Sequence, residues 1–338
     1  MVNNANARTE RVANPAEKKV IVVGAGAMGS LFASHFARAG CETWAYDVWR
    51  EHVERIRETG LTVRSDDGEE AIPMRATTDP HEPGVADIVL MFVKYNQTRQ
   101  AARDIAPAIG PGTVVLTLQN GLGNVELIRE ALPAAPLLFG FTTLTSELLA
   151  PGIIEASYAG RGDTYIWPAD GIWPADGKPG DVCGAVVDLL NQSGINAKVD
   201  PEIELRIWQK LVVNCCLNPL CAICGLSVGE LVDQAEAWPM LDGITDEIVA
   251  VAARKEIALT REAARTFLRD VAAEARSHYP SMLRDIRAEK QTEIECLNGA
   301  VIRDAERLGI DVPFNRSAYG MIRVLEDTYA QRRRTGDG

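Results

Sequence analysis

The chain has 338 residues, of which 46% are hydrophobic and 24% charged, which is typical of a globular protein with a substantial core. Its net charge of −12 argues against a surface that binds nucleic acid or anionic lipid, since both need a basic footprint. No apolar run is long enough to span a membrane, the polar N-terminus lacks the core of a signal peptide, and the seven cysteines have no framework spacing. We therefore expect a cytoplasmic protein, with disordered tails over residues 1–18 and 331–338.

A glycine-rich turn follows the first predicted strand, Val20-Ile-Val-Val, and precedes a predicted helix and a second strand that ends at Tyr46. In this order, Gly24 allows the tight turn, Gly26 lets a pyrophosphate approach the backbone, and Gly29 lets the helix pack on the strand. The pyrophosphate would sit at the positive end of the helix. The residues of this predicted dinucleotide site are Gly24, Ala25, Gly26, Ala27, Met28 and Gly29.

Asp47 stands at the tip of the second predicted strand. A carboxylate there accepts hydrogen bonds from the ribose diol of adenosine and repels a 2′-phosphate, which favours NAD(H). Alternatively, Asp47 caps the following segment and Arg50 binds the phosphate, which would favour NADP(H). NADP(H) is therefore not excluded.

Two further buried strands, Asp87–Val93 and Thr113–Leu118, are predicted before Lys94 and Asn120. Ligands of open parallel sheets bind at the carboxyl ends of the strands, so both residues are predicted to face cofactor or substrate. The alternatives are a solvated charge at Lys94 and a turn residue at Asn120.

From about residue 139 to residue 199 the pattern is rich in predicted strands. Within it the hexapeptide Ile166-Trp-Pro-Ala-Asp-Gly is repeated at once over residues 172–177, which predicts a lengthened surface loop. After residue 200 the pattern is almost wholly helical. We therefore predict two domains, residues 19–200 and residues 201–330.

Lys210, Asn214 and Asn218 are four residues apart in an otherwise apolar helical stretch. Such residues fall on nearly one face of a helix, with a drift of about 40° per step. Burying an ammonium and two amides costs roughly several kcal/mol unless each has a partner. The pattern predicts that this partner is a small polar ligand.

Farther along, apolar residues at helical spacing predict a helix that begins at or shortly before Glu293 and ends at Gly309. If Ser281 belonged to the same unbroken helix, it would lie about 18 Å from Glu293, too far for one small substrate. Either one of them is unrelated to the site, or Pro280 and Ser281 begin a segment that folds back.

Cys221 and Cys224 have CxxC spacing, but no second pair or histidine cluster completes a zinc site, so we predict buried free thiols and no metal. The four histidines share no motif with an acid or a serine, which disfavours a histidine-based dehydrogenase.

From Lys19 to about Glu326 the sequence resembles the ketopantoate reductase (2-dehydropantoate 2-reductase) family. The resemblance implies an α/β fold, with an N-terminal Rossmann-like dinucleotide-binding domain and an all-helical C-terminal domain of the 6-phosphogluconate dehydrogenase type. The motifs that carry it are the Gly24–Gly29 turn, Val93-Lys, Gln119-Asn-Gly-Leu-Gly, Trp208-Gln-Lys-Leu-Val-Val-Asn-Cys-Cys-Leu-Asn-Pro-Leu, and Ser281-Met-Leu-Arg-Asp-Ile-Arg with Thr292-Glu-Ile.

The resemblance also implies a reaction, the reduction of a 2-oxo acid to a D-2-hydroxy acid by hydride transfer from NAD(P)H, with ketopantoate as the leading substrate. Lys210 matches the general acid, and Glu293 matches the acid that binds a substrate hydroxyl and fixes the lysine. The other matching positions are Asn214 and Asn218 for substrate oxygens, Ser281 for the substrate carboxylate, and Asn120 and Lys94 between cofactor and substrate.

The sequence departs from the family near Asp47, where an arginine usually serves the 2′-phosphate of NADPH. An alternative is therefore an NAD-dependent D-2-hydroxyacid dehydrogenase that acts on branched or aryl 2-oxo acids. A third hypothesis is a nucleotide-binding sensor without turnover. The apolar helical half is compatible with a homodimer, and no motif fixes the size of the substrate.

Overall fold

The computed structural model describes residues 14–156, 162–169 and 179–331. Most of the two predicted tails and the second copy of the hexapeptide lie outside the described residues. Within the predicted N-terminal tail, Pro15–Glu17 form a 3-10 turn, so the prediction of disorder was wrong there. The first half of the first hexapeptide belongs to a strand, and Ile166 is fully buried, so these residues are not a loop.

Strands and helices alternate in the first part of the described chain, and helices follow one another in the rest. The strands are β1 (Lys19–Val23), β2 (Glu42–Tyr46), β3 (Leu61–Ser65), β4 (Gly68–Ile72), β5 (Arg75–Thr77), β6 (Ile88–Met91), β7 (Val114–Thr117), β8 (Leu137–Thr142), β9 (Ser146–Ala150), β10 (Ile153–Ala156), β11 (Asp163–Pro168) and β12 (Asn196–Val199). The helices are α1 (Ala27–Arg38), α2 (Arg50–Thr59), α3 (Tyr95–Asp104), α4 (Asn124–Ala131), α5 (Pro179–Gln192), α6 (Ile203–Cys224), α7 (Val228–Val232), α8 (Trp238–Arg254), α9 (Arg261–Glu274), α10 (Ser281–Arg287), α11 (Asn298–Leu308) and α12 (Pro313–Asp327).

The chain divides into two compact units, the first made of Met1–Gln119 and Val125–Pro201, the second of Asn120–Asn124 and Glu202–Gly338. The short loop Asn120–Asn124 thus groups with the helical unit, although it lies within the predicted first domain.

The first unit is built on a sheet that, among the described residues, has the strand order β12-β11-β8-β7-β6-β1-β2-β5. All its neighbouring strands pair in parallel except β8 and β11. The stretch β5-β2-β1-β6-β7-β8 has the strand order of dinucleotide-binding folds, which reverses direction between β1 and β6. Fold class and strand order together place the first unit among Rossmann-like domains.

Helix α1 packs on β1 and β2 of this sheet and on all four strands of a second sheet, β4-β3-β10-β9. Its buried side chains, including Phe32 and Phe36, join the core that the two sheets share. The sequence missed both the second sheet and α5. The latter buries Cys183, Val186 and Leu190 at helical spacing.

In the described part of the second unit, the regular elements are helices, and α6 is central because it packs against α7, α8, α9, α10 and α12. By length and hydropathy α6 would be a candidate membrane span, and 56% of the window that meets this test is buried. A core helix passes the same test, and the packing of α6 against five other helices is that of a core helix.

The segment that holds Ser281 and Glu293 differs from the prediction. Helix α10 begins at Ser281 and ends at Arg287, and α11 begins at Asn298, so Glu293 precedes that helix instead of starting it. Leu297 has φ −99° and ψ −104°, outside the helical region, which ends the turn that Glu293 opens. The predicted end at Gly309 is confirmed, with φ +68°.

Candidate active site

The glycine turn after β1 owes its shape to two of its glycines. Gly24 has φ +90°, and a Cβ there would lie 2.7 Å from the backbone nitrogen of Val93, in the segment after β6. A Cβ at Gly29 would clash with the carbonyl oxygen of Gly24, so α1 can approach the turn only with glycine at that position. Larger residues at either position would move the start of α1.

Gly26, the third glycine, faces open space, since a Cβ there would meet no atom within 4 Å. It is the N-cap of α1 and makes no side-chain capping bond. The first N–H groups of a helix carry a partial positive charge and lack partners within the helix. The turn therefore fits the pyrophosphate of a dinucleotide, with Ala25 buried and Ala27 and Met28 half-buried beside it.

Asp47 joins this turn to the start of α2. One carboxylate oxygen accepts the backbone N–H of Ala25 at 2.7 Å, and the other accepts that of Trp49 at 2.9 Å. Arg50 is the first residue of α2 and is exposed. The carboxylate thus lies at the tip of the strand and makes a capping contact near the start of α2; binding of a ribose diol by Asp47 stays a prediction.

His52, which sequence reasoning set aside, contacts a serine beneath the turn. Its Nδ1 accepts the backbone N–H of Gly152 at 2.9 Å, so the ring proton is on Nε2, which lies 3.4 Å from the Oγ of Ser30. Ser30 in turn donates to the carbonyl oxygen of Ala25. Burial lowers the pKa of His52, which keeps the ring neutral. Because Nε2 is a donor, this pair holds the turn and is not a serine–base couple.

Lys94 lies in the first unit, where it is half-buried and forms the N-cap of α3. The segment before it is held by Gln119, whose amide donates to the carbonyl oxygen of Val93 at 2.6 Å and to Thr98 Oγ1 at 2.8 Å. The sequence pattern did not predict this role of Gln119, because the residues it joins are more than twenty positions away.

On α6, the residues Lys210, Asn214 and Asn218 are half-buried, whereas the other side chains from Leu211 to Ala222 are buried. The three residues therefore share the open side of this otherwise buried stretch of α6, as their spacing predicts. No hydrogen bond joins the side-chain amide of Asn214 or Asn218 to another described residue. These amides are available to a ligand.

The amine of Lys210 has an unusual acidity. Burial lowers its pKa from 10.5 to about 8, and the negative charge of Glu293 opposes part of that shift. Desolvation disfavours the charged form of an amine, and a nearby carboxylate favours it. The result is an ammonium that can release its proton near neutral pH.

Glu293 is fixed by the Asn120–Asn124 loop. The side-chain amide of Asn120 donates to the Glu293 carboxylate at 3.3 Å, and the backbone N–H of Leu122 donates to the carbonyl oxygen of Cys296 at 2.9 Å. Gly121 has φ +79°, and a Cβ there would clash with that same carbonyl oxygen. Glycine at this position is therefore required for the loop to approach the Glu293 turn.

Ser281 is the first residue of α10 and is half-buried, and α10 packs on α6. The single unbroken helix is thus excluded, and the segment folds back onto the helix that carries Lys210. The structure brings together Lys210, Glu293 and Asn120, and it places Ser281 on a helix that contacts the same α6.

The CxxC pair is split. Cys221 is buried as predicted, but Cys224 is exposed, so the prediction of burial was wrong there. Among the described residues, no group of histidine, cysteine and acidic side chains could hold a metal ion. Burial raises the pKa of the Cys216 and Cys221 thiols to about 12, which makes both poor nucleophiles.

Comparison with known proteins identifies the family of the chain. The family described as Ketopantoate reductase PanE/ApbA matches residues 20–171, and its C-terminal counterpart matches residues 202–326. The chain belongs to the ketopantoate reductase family. It is accordingly an oxidoreductase of the class that acts on CH–OH groups, and its cofactor is a nicotinamide dinucleotide.

Among curated relatives, the 2-dehydropantoate 2-reductase of Streptococcus pyogenes serotype M18 is 32% identical over 91% of this chain and 97% of its own length. A solved ternary structure of D-mandelate dehydrogenase with NADH and anilino(oxo)acetate has a TM-score of 0.84 and 30% identity, over 92% of this chain and 99% of that one. A ketopantoate reductase from Ralstonia eutropha JMP134 has a TM-score of 0.82 and 29% identity, with the same coverage.

Proposed function

We propose that the protein reduces a 2-oxo acid to the corresponding D-2-hydroxy acid with NAD(P)H, and that its leading substrate is 2-dehydropantoate. The observation that carries the proposal is the half-buried amine of Lys210, with its pKa lowered to about 8 and the Glu293 charge acting on it. The relatives named 2-dehydropantoate 2-reductase support this choice of substrate.

Residues Gly24–Gly29 would hold the pyrophosphate of the dinucleotide, whose nicotinamide would supply a hydride to the keto carbon of the substrate. The keto oxygen then becomes an alkoxide, and Lys210 donates a proton to it from its ammonium group. Before transfer, the same positive charge stabilises the negative charge that develops on the oxygen. One side chain thereby serves as general acid and as electrostatic stabiliser.

Glu293 has two proposed roles. Its carboxylate favours the protonated form of Lys210, so that the amine carries a proton at neutral pH, and it accepts a hydrogen bond from a substrate hydroxyl. Asn120 donates to the same carboxylate and fixes its orientation. A carboxylate held in this way is ready to bind substrate without further rearrangement.

The amides of Asn214 and Asn218 are proposed to hold substrate oxygens, and the hydroxyl of Ser281 is proposed to bind the substrate carboxylate. Support comes from their half-buried positions on α6 and at the start of α10. A non-catalytic nucleotide sensor would have no need of a proton donor beside such amides.

We expect Lys210→Ala to lower kcat at least about a hundredfold, because general acid catalysis typically contributes that much. Binding of NADH to the variant, measured by fluorescence, is expected to stay within about twofold of the parent, since the proposed cofactor residues other than Asn120 lie on the first unit.

The matched control is Lys255→Ala, which removes the amine of the residue that follows α8. This amine pairs with Asp304 and lies over the ring of Trp208. We expect it to keep kcat near the parent value. If Lys210→Ala turned over at the parent rate, Lys210 would have no part in the reaction.

For the cofactor, we propose a preference for NAD(H). The Asp47 carboxylate lies against the turn at Ala25, where it would accept hydrogen bonds from a ribose diol and repel a 2′-phosphate. Lys94, Asn120 and the residues Gly24–Gly29 complete the proposed cofactor set. The D-mandelate dehydrogenase structures, which contain NADH, add support from a related chain.

Asp47→Asn removes the charge but keeps an acceptor, so we expect the ratio of kcat/KM for NADPH to that for NADH to rise at least about tenfold. The values of kcat/KM for NADPH and for NADH are both expected to fall somewhat, since one of the two backbone N–H groups bound by Asp47 loses its acceptor. Asp47→Arg should shift the ratio further.

As control, Glu51→Gln neutralises an exposed acid in the first turn of α2 and should leave the ratio unchanged. An equal shift in the control, or none in Asp47→Asn, would mean that Asp47 does not face the ribose.

A second candidate function is an NAD-dependent D-2-hydroxyacid dehydrogenase for branched or aryl 2-oxo acids, which Asp47 and the likeness to D-mandelate dehydrogenase favour. A panel of 2-oxo acids with NADH and NADPH decides between the two. We expect the highest kcat/KM for ketopantoate; a higher value for an aryl or branched acid would establish the second candidate, and no turnover of any acid would favour the sensor.

We also propose a cytoplasmic location, since the seven cysteines all lie within the described ranges and are free thiols.

A further inference from the structure

Helix α6 contains a proline, Pro219, one residue after Asn218. Proline has no backbone N–H, so it cannot donate to the carbonyl oxygen four residues earlier, and its ring crowds that oxygen. The carbonyl concerned belongs to Cys215, which follows Asn214 directly. The break in the helical ladder therefore falls within the turn that joins the two amides of the proposed substrate site.

A side chain supplies the missing donor. The amide nitrogen of Asn298, the first residue of α11, lies 3.1 Å from the carbonyl oxygen of Cys215 and donates to it. Asn298 is fully buried. A buried carbonyl without a donor costs about 1–3 kcal/mol, so this bond substitutes for the one that Pro219 cannot form.

Asn298 is itself held in place by a buried polar chain. Its amide nitrogen also donates to Asn315 Oδ1 at 3.0 Å, and the amide of Asn315 donates to the Glu247 carboxylate at 2.8 Å. That carboxylate accepts the backbone N–H groups of Phe314 and Asn315 at the start of α12. The position of the donor is thus tied to α8, which carries Glu247, and to α12.

Only the donor half of the Asn298 amide is used. Its Oδ1 is buried and has no hydrogen-bond partner among the described residues. An unpaired buried acceptor lowers stability, so an apolar side chain of the same size would be more stabilising at this position unless a hydrogen-bond donor were needed there. The group that needs this donor is the carbonyl oxygen of Cys215.

We propose that Asn298 is a positioning residue for substrate binding, which sets the α6 turn between Asn214 and Asn218 by replacing the hydrogen bond lost at Pro219. The proposal rests on the proposed function in one respect, that these two amides bind the substrate. Asn298 itself contacts neither substrate nor cofactor in this account.

A double-mutant cycle with Asn298→Leu and Pro219→Ala tests it. Leucine has a similar size but no donor, and alanine at 219 restores a backbone N–H four residues after Cys215. In the parent, we expect Asn298→Leu to raise KM for the 2-oxo acid at least about tenfold, with a smaller change in kcat. In the Pro219→Ala background, the same substitution should raise KM less than about threefold.

Unfolding in urea gives a second test, which does not depend on catalytic turnover. The urea midpoint should fall clearly on Asn298→Leu in the parent and less in the Pro219→Ala background, where only the bond to Asn315 is lost. If no 2-oxo acid is turned over, the proposed function is wrong. The urea midpoints alone then still decide whether Asn298 replaces the missing donor.

Three results would overturn the proposal. The effects of Asn298→Leu and Pro219→Ala on the urea midpoint could be additive, or their effects on the midpoint could be coupled while their effects on KM are additive. The third result is that Pro219→Ala reduces the effects of the control Thr245→Val as much as those of Asn298→Leu. That control removes a buried hydroxyl that contacts Cys216 on the same helix, away from the broken bond. If Asn298→Leu fails to fold, folding of the double variant supports the proposal, and its failure to fold contradicts it.

Discussion

The proposed reaction depends on one amine, that of Lys210, which is held in a half-buried position on an apolar helix. Burial favours the neutral form of Lys210 and the charge of Glu293 favours the protonated form, and the balance lowers the pKa to about 8. Without the apolar surroundings, the amine would hold its proton too tightly to be an efficient acid near neutral pH. Without Glu293, less of it would be protonated. The apolar helix and the Glu293 carboxylate are therefore both needed to set the pKa of Lys210.

Glu293 comes from an irregular turn, so its placement relies on neighbouring backbone. The Asn120–Asn124 loop supports it through the Asn120 amide, and Gly121 permits the close approach that this requires. The loop follows β7 in sequence but groups with the helical unit. A segment between two strand-and-helix repeats thus supplies part of the proposed site within the helical unit. A simple division of the sequence at residue 200 assigned this segment to the first domain.

Features set by local periodicity could be predicted from the sequence. The strand–turn–helix order gives meaning to Gly24 and Gly29, and a spacing of four puts Lys210 and Asn214 on one face. Features set by contacts between distant residues could not. Ile294 and Leu297 have helical spacing, yet the dihedral angles at Leu297 leave Glu293 outside the helix. His52 contacts Ser30, which lies 22 positions earlier in the chain, and no pattern in one sequence encodes such a contact.

The most direct test is a titration of the Lys210 amine by NMR in protein labelled with ¹⁵N-lysine, with Lys210→Ala used to assign the signal. We expect a pKa of about 8 in the parent and a lower value in Glu293→Gln, because the opposing charge is then absent. A pKa near 10.5 that does not respond to Glu293→Gln would contradict it, since the amine would then be neither desolvated nor coupled to the carboxylate.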